Sequence, residues 1–69
     1  MSEISIRKYI MDNFKDDNES EIKASIDETV SEELEEALPG LGVFMEIIWK
    51  NASEALKNEL VDILKAHLN

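Results

Sequence analysis

Apolar residues that recur every four positions constrain this chain more than any other feature of its sequence. Three segments carry them: Ile6, Ile10 and Phe14; Ile22, Ile26 and Val30; Leu56, Leu60 and Leu64. Residues four apart lie on one side of an α-helix, whereas a half-buried strand needs alternation at every second residue. No segment shows convincing alternation. The sequence therefore predicts an all-α fold.

Capping residues set the predicted bounds of the helices. Asn18, with Glu21 three residues later, has the spacing of a capping box, and Ser53 is suited to cap the last helix. Ser31 is the candidate cap of an additional short helix. We predict a single domain over residues 1–69, a compact bundle of four or five short helices. The predicted helices are 3–14, 19–31, 42–51 and 53–68, with the fifth at 32–38.

The stretch ALPGLGVFMEIIWKNA, residues 37–52, contains both glycines and the only proline. Pro39 disfavours helical geometry at Leu38 and Gly40 tolerates positive φ, so this turn is predicted to end one helix. Replacing Gly40 with valine is then expected to cost about 1–3 kcal/mol through backbone strain, and replacing it with asparagine less. A phosphate-binding loop is disfavoured, because Val43 and Phe44 stand where Lys-Ser/Thr is required.

The segment after these glycines predicts a buried helix. From Val43 to Trp49 the only polar side chain is Glu46, which has the spacing to pair with Lys50. Its apolar runs are far too short to span a bilayer, so no membrane segment is expected. In a chain of 69 residues without cysteine, such a helix favours burial in a homodimer. The alternative is a monomer whose terminal helices wrap it completely.

The negative charge is concentrated in one segment. Residues 16–36 hold ten of the sixteen acidic residues and one lysine, while acids and bases balance in the rest of the chain. A protein that binds nucleic acid needs a basic surface. Arg7 and Lys8 form only a small basic patch, so we expect no direct nucleic-acid binding. Residues 16–36 could instead bind a basic protein partner.

Other candidate sites are weak. His67 has no nearby nucleophile or ligand and is predicted to be a solvent-facing residue at a helix end. A calcium loop beginning at residue 16 would place Glu21 where glycine is needed and Asp27 where a bidentate glutamate is needed. Phe44 and Trp49 are better explained by core packing than as partner anchors. We predict no catalytic residues, no metal and no cofactor.

The block LPGLGV, followed by EIIWKNA, resembles the small, acid-soluble spore protein I family of endospore-forming bacteria. The resemblance extends over the whole chain and implies a non-enzymatic sporulation protein, located inside the cell in the forespore and then the spore core. It also implies an unknown biochemical role and no relation to the spore proteins that coat DNA. The family motif, to which we assign a structural role, is Leu38, Pro39, Gly40, Leu41, Gly42, Trp49, Lys50 and Asn51.

Overall fold

The computed structural model describes residues 5–68 and consists of four α-helices and one 3-10 turn. The elements in chain order are α1 (Ile6–Phe14), α2 (Glu19–Glu32), the 3-10 turn (Glu35–Ala37), α3 (Leu38–Asn51) and α4 (Glu54–His67). The described residues contain no strand, so the predicted all-α fold is confirmed, including a short fifth element within 32–38. Residues 3 and 4 of the predicted first helix lie outside the described part. None of these helices is both long enough and apolar enough to cross a bilayer.

Side-chain caps begin three of the four helices. At the start of α2, the Asn18 side chain accepts a hydrogen bond from the Glu21 N–H at 2.9 Å. The Glu21 carboxylate accepts one from the Asn18 N–H, also at 2.9 Å, which completes the predicted capping box. Ser53 caps α4 as predicted, accepting from the N–H three residues on at 3.1 Å. Ser5 caps α1 in the same way at 3.2 Å.

The predicted break at the Leu-Pro-Gly turn is wrong, because α3 begins at Leu38 and continues through both glycines. Pro39 lies in the first turn of α3, where the missing N–H costs nothing and the fixed φ suits a helix. No glycine of the described chain has positive φ. The predicted strain in a Gly40→Val variant therefore has no basis in the backbone conformation.

The left-handed residue of the described chain is Glu33, which ends α2 with φ of 52°. Its N–H donates to the Val30 carbonyl at 3.2 Å. Ser31 does not cap a new helix, because it lies within α2 and its hydroxyl donates to the Glu28 carbonyl at 3.2 Å. Helix α2 thus ends at Glu33, and the 3-10 turn leads directly into α3.

The tightest packing joins α1 to α3. Val43, at 7% exposure, is the one buried hydrophobic residue in the described part of the chain. The rings of Phe14 and Phe44 meet edge to face with centroids 5.0 Å apart. A Cβ placed on Gly40 would lie 3.4 Å from Cδ1 of Ile10, so the Ile10 side chain packs directly over this glycine.

A single copy of the chain leaves much of α3 exposed. The large apolar side chains of its second half are 39–43% exposed: Met45, Ile47, Ile48 and Trp49. The terminal helices of one chain therefore do not wrap the central helix completely, and the homodimer stays a prediction.

Candidate interaction surfaces

An ion pair fixes how α1 lies against α3. The Arg7 guanidinium donates two hydrogen bonds to the Glu46 carboxylate, at 2.6 and 2.9 Å. The sequence predicted that Glu46 pairs with Lys50, but Glu46 pairs with Arg7 instead. The Glu46–Lys50 pair is absent among the ion pairs of residues 5–68. The hydrogen bond to Arg7 lowers the pKa of Glu46 below its ordinary value, and the same contact raises the pKa of Arg7. Bidentate geometry specifies orientation more than a single contact does.

An open apolar groove lies where α1, α2 and α3 meet. It has a volume of about 340 Å³ and follows one side of the Phe14–Phe44 pair. All its lining residues except one lysine are apolar: Met11, Phe14, Lys15, Ile22, Ile26, Phe44, Ile47 and Ile48. We call this set the apolar groove. Its shape and lining suit an apolar helix or side-chain cluster rather than a polar ligand.

The second apolar surface is one side of α4, here called the α4 face. Its side chains are 42–69% exposed and comprise Leu56, Val61, Ile63, Leu64 and Leu68. The helix approaches the rest of the chain through Lys57, whose Nζ lies 5.4 Å from the centroid of the Trp49 ring. Lys57 also pairs with Glu54 at 3.4 Å. The apolar stripe predicted from the sequence is thus present, and apart from the half-buried Leu60 its side chains are exposed.

The acidic segment, residues 16–36, covers α2 and the 3-10 turn. Its acidic side chains are exposed except that of Asp17, which is half-buried. The single lysine of the segment, Lys23, pairs with Asp27 at 3.1 Å. In residues 5–68 no group of acidic and histidine side chains is arranged to hold a metal ion. The segment therefore presents a broad negative surface on the side of the groove that α2 forms.

The family-motif residues lie at the two ends of α3 and do not form one site. Leu38 to Gly42 occupy its first turns, and Trp49 to Asn51 its last. At 1.5 Å per residue these groups are separated by about 15 Å. Asn51 donates from its amide to the Ile47 carbonyl at 2.8 Å, and Lys50 lies in the last turn, where it complements the helix dipole.

His67 lies exposed at the end of α4, as predicted, with its Nδ1 2.9 Å from the Ile63 carbonyl. The apolar groove was not foreseen from the sequence. Its residues come from three segments of the sequence, and each segment by itself predicts only the apolar stripe of its own helix. The signal available in the sequence was Met11, an apolar residue that lies outside the predicted stripe of Ile6, Ile10 and Phe14.

Fold and surfaces together define a small helical protein with two open apolar surfaces beside an acidic one. The family model described as "Small, acid-soluble spore protein I" matches residues 4–68. Relatives of that name occur in Halalkalibacterium halodurans (40% identity over 84% of this chain and 85% of the relative) and in Shouchella clausii (37%, covering 94% of each). Another, from Bacillus subtilis, is 33% identical over 96% of this chain and 93% of its own. No solved structure matches significantly.

The chain belongs to the small, acid-soluble spore protein I family. The resemblance read from the LPGLGV and EIIWKNA blocks is thereby confirmed.

Proposed function

We propose that this protein acts in the spore core as a non-enzymatic module that binds other protein surfaces and does not coat DNA. The observation that carries the proposal is the pair of open apolar surfaces, the apolar groove and the α4 face, on a chain with one buried hydrophobic residue among those described. Soluble proteins seldom leave such surfaces uncovered unless they bind something there. Membership of a spore protein family supports the location.

Two further observations support the non-enzymatic part. Residues 5–68 contain no buried polar or charged side chain, whereas catalytic acids and bases are commonly tuned by burial. The ion pair of Arg7 with Glu46 shifts the pKa of both groups. Its evident role is to hold α1 on α3. This arrangement is suited to binding rather than to proton transfer.

The net charge of −9 is the argument against a DNA coat, since phosphate contacts need an excess of Lys and Arg. The test is a filter or gel assay with duplex DNA at physiological salt, in which we expect no appreciable binding. Sub-micromolar binding that is lost on adding salt would contradict this part of the proposal.

The binding role is tested by affinity capture from sporulating cells with the wild-type chain and with Ile48→Lys, which places a charge in the apolar groove. Val30→Glu is the matched control, because Val30 is 57% exposed and lies outside both the groove and the α4 face. We expect captured proteins to be lost with Ile48→Lys and kept with Val30→Glu. Identical capture by all three chains would remove the groove from the proposal.

A second candidate function is that residues 16–36 bind a basic protein partner. It is favoured by the exposure of these carboxylates, of which Asp27 is satisfied by Lys23. Binding of this kind weakens as salt screens the opposite charges. Changing Glu35 and Glu36 to glutamine should then weaken capture, and retention of the partner at high salt would count against it.

A further inference from the structure

We propose that two copies of this chain pair by placing α4 of each copy in the apolar groove of the other. The pairing is reciprocal, so that one two-fold axis relates two identical helix-in-groove contacts. It goes beyond the proposed function: the second copy fills the groove and the α4 face in the dimer, so a different protein would bind there in competition with the pairing.

A single copy exposes more surface than is expected of a folded monomer of its mass. Its accessible surface is 6148 Å², whereas a folded monomer of 7.9 kDa is expected to expose roughly 4,400 Å². The excess is about 1,700 Å², and a stable interface covers about 800 Å² on each partner. One copy therefore has enough surplus surface to give both a helix and a groove to a partner.

The apolar side of α4 suits the groove. Its apolar residues follow the three-four spacing of a helix that packs on others, with Leu56, Leu60 and Ile63 in one row and Val61, Leu64 and Leu68 in the next. The other helices already contribute their apolar sides to the groove itself. The apolar side of α4 contributes no residue to the groove of its own chain.

The groove and the start of α4 lie on different sides of α3. Successive residues of a helix are rotated by about 100°, so Trp49 and Ile47 lie on nearly opposite sides of α3. The groove is on the Ile47 side, and α4 leaves on the Trp49 side, where Lys57 covers the indole ring. The connection, Ala52–Ser53, is only two residues long. In this arrangement α4 does not reach the groove of its own chain, and the helix of a second copy can.

Charge is compatible with the exchange. Across α4 the acidic residues Glu54, Glu59 and Asp62 are nearly balanced by Lys57 and Lys65. This helix can therefore approach α2 of the second copy with little added repulsion, while Lys15 at the groove edge offers a cation. Because each copy carries a net charge of −9, salt should strengthen the pairing by screening repulsion. Binding of a basic partner would respond in the opposite way.

The test is sedimentation equilibrium over a hundredfold range of concentration, from about 1 to 100 µM, so that mass action is visible. We expect a dimer at the upper end and tighter association at higher salt. A chain that stays monomeric throughout would overturn the proposal.

Two variants then locate the contact. Ile48→Lys alters the groove and Leu64→Glu alters the α4 face, and each alone should weaken the dimer by at least about 30-fold, as loss of an interface hot spot does. An equimolar mixture of the two should associate again, because one intact helix-in-groove contact and one Glu–Lys contact can form. Val30→Glu, the matched control, should dimerise like the wild type.

A wild-type dimer with no recovery in the mixture would indicate that α4 pairs with α4, and would overturn the exchange. If a variant loses its helical circular dichroism, isotope-filtered NOEs on a mixture of labelled and unlabelled wild-type chains decide instead. Contacts between chains from the Leu64 methyls to Phe44 or Ile48 are expected. Contacts that join only α4 to α4 would overturn the proposal.

Discussion

Helices α1 and α4 share a sequence pattern but have different surroundings. Both begin at a serine cap and carry an apolar stripe. In α1, Ile10 lies against Gly40 and Phe14 against Phe44. In α4, Ile63 is 61% exposed, and the other stripe residues are also exposed except the half-buried Leu60. An apolar stripe therefore identifies the side of a helix that must be covered, but it does not say whether the partner belongs to the same chain.

The largest expected effect comes from making one substitution in both regions. Val43→Ala should lower the free energy of unfolding by about 2 kcal/mol, since it removes two methyl groups from the buried side of α3. Val61→Ala, at a position 47% exposed on α4, should change it by less than about 0.5 kcal/mol in dilute solution. Urea titrations followed by circular dichroism measure both values. Equal losses at the two positions would break the comparison.

The helix caps give the next effect. Asn18→Ala and Ser53→Ala each remove a capping acceptor, worth about 1 kcal/mol. Loss of the α2 cap should lower global stability. Loss of the α4 cap should speed amide exchange within α4 and leave the amides around Val43 unchanged. Slower folding or weaker protection throughout the chain in Ser53→Ala would mean that α4 is packed more firmly than described.

Replacing a glycine of α3 with alanine should stabilise the protein, whereas a left-handed turn at these residues would make the same change destabilising. Gly42→Ala should stabilise the protein by about 0.5–1 kcal/mol, because Gly42 is helical and nothing lies within 4 Å of an added Cβ. The gain at Gly40 should be smaller, since the new Cβ would contact Ile10 at 3.4 Å. Thermal melts of both variants test this, and a lower melting temperature for Gly42→Ala would contradict the helical assignment.

The smallest effect is the pH dependence of the ion pair between α1 and α3. Because Arg7 lowers the pKa of Glu46 from its ordinary 4.5, the stabilisation is present above that value and is lost as the pH falls through the lowered pKa. Glu46→Gln should therefore lower the melting temperature by a few degrees at neutral pH, and the difference should vanish in acid. Glu59→Gln on α4 is the control, with no such difference expected.

Local features of this fold could be predicted from the sequence, and contacts between distant segments could not. Asn18 with Glu21 and Ser53 were identified because a cap and the backbone N–H that donates to it lie three residues apart. The start of α3 was missed because Pro39 and Gly40 suit either a helix end or, for the proline, a first helical turn. The pair of Arg7 with Glu46 joins residues 39 positions apart, and helical spacing favoured Lys50 instead. The left-handed Glu33 carries no sequence signal at all.

The family motif illustrates the same limit. Its residues were recognised from the sequence, but the structure separates them between the first and last turns of α3. A structural role for the motif remains a prediction. The apolar groove depends on how three helices meet, and its open state is visible only when their packing is known.

Amide hydrogen exchange of the wild-type chain at two concentrations tests the central claim most directly. In dilute solution, the amides of α4 should exchange much faster than those of α3 near Val43, because most apolar side chains of α4 are exposed in one chain. At high concentration, protection should rise in α4 and along the groove around Ile22 and Ile48, and should change little elsewhere. Equal protection of α3 and α4 at both concentrations would contradict the account.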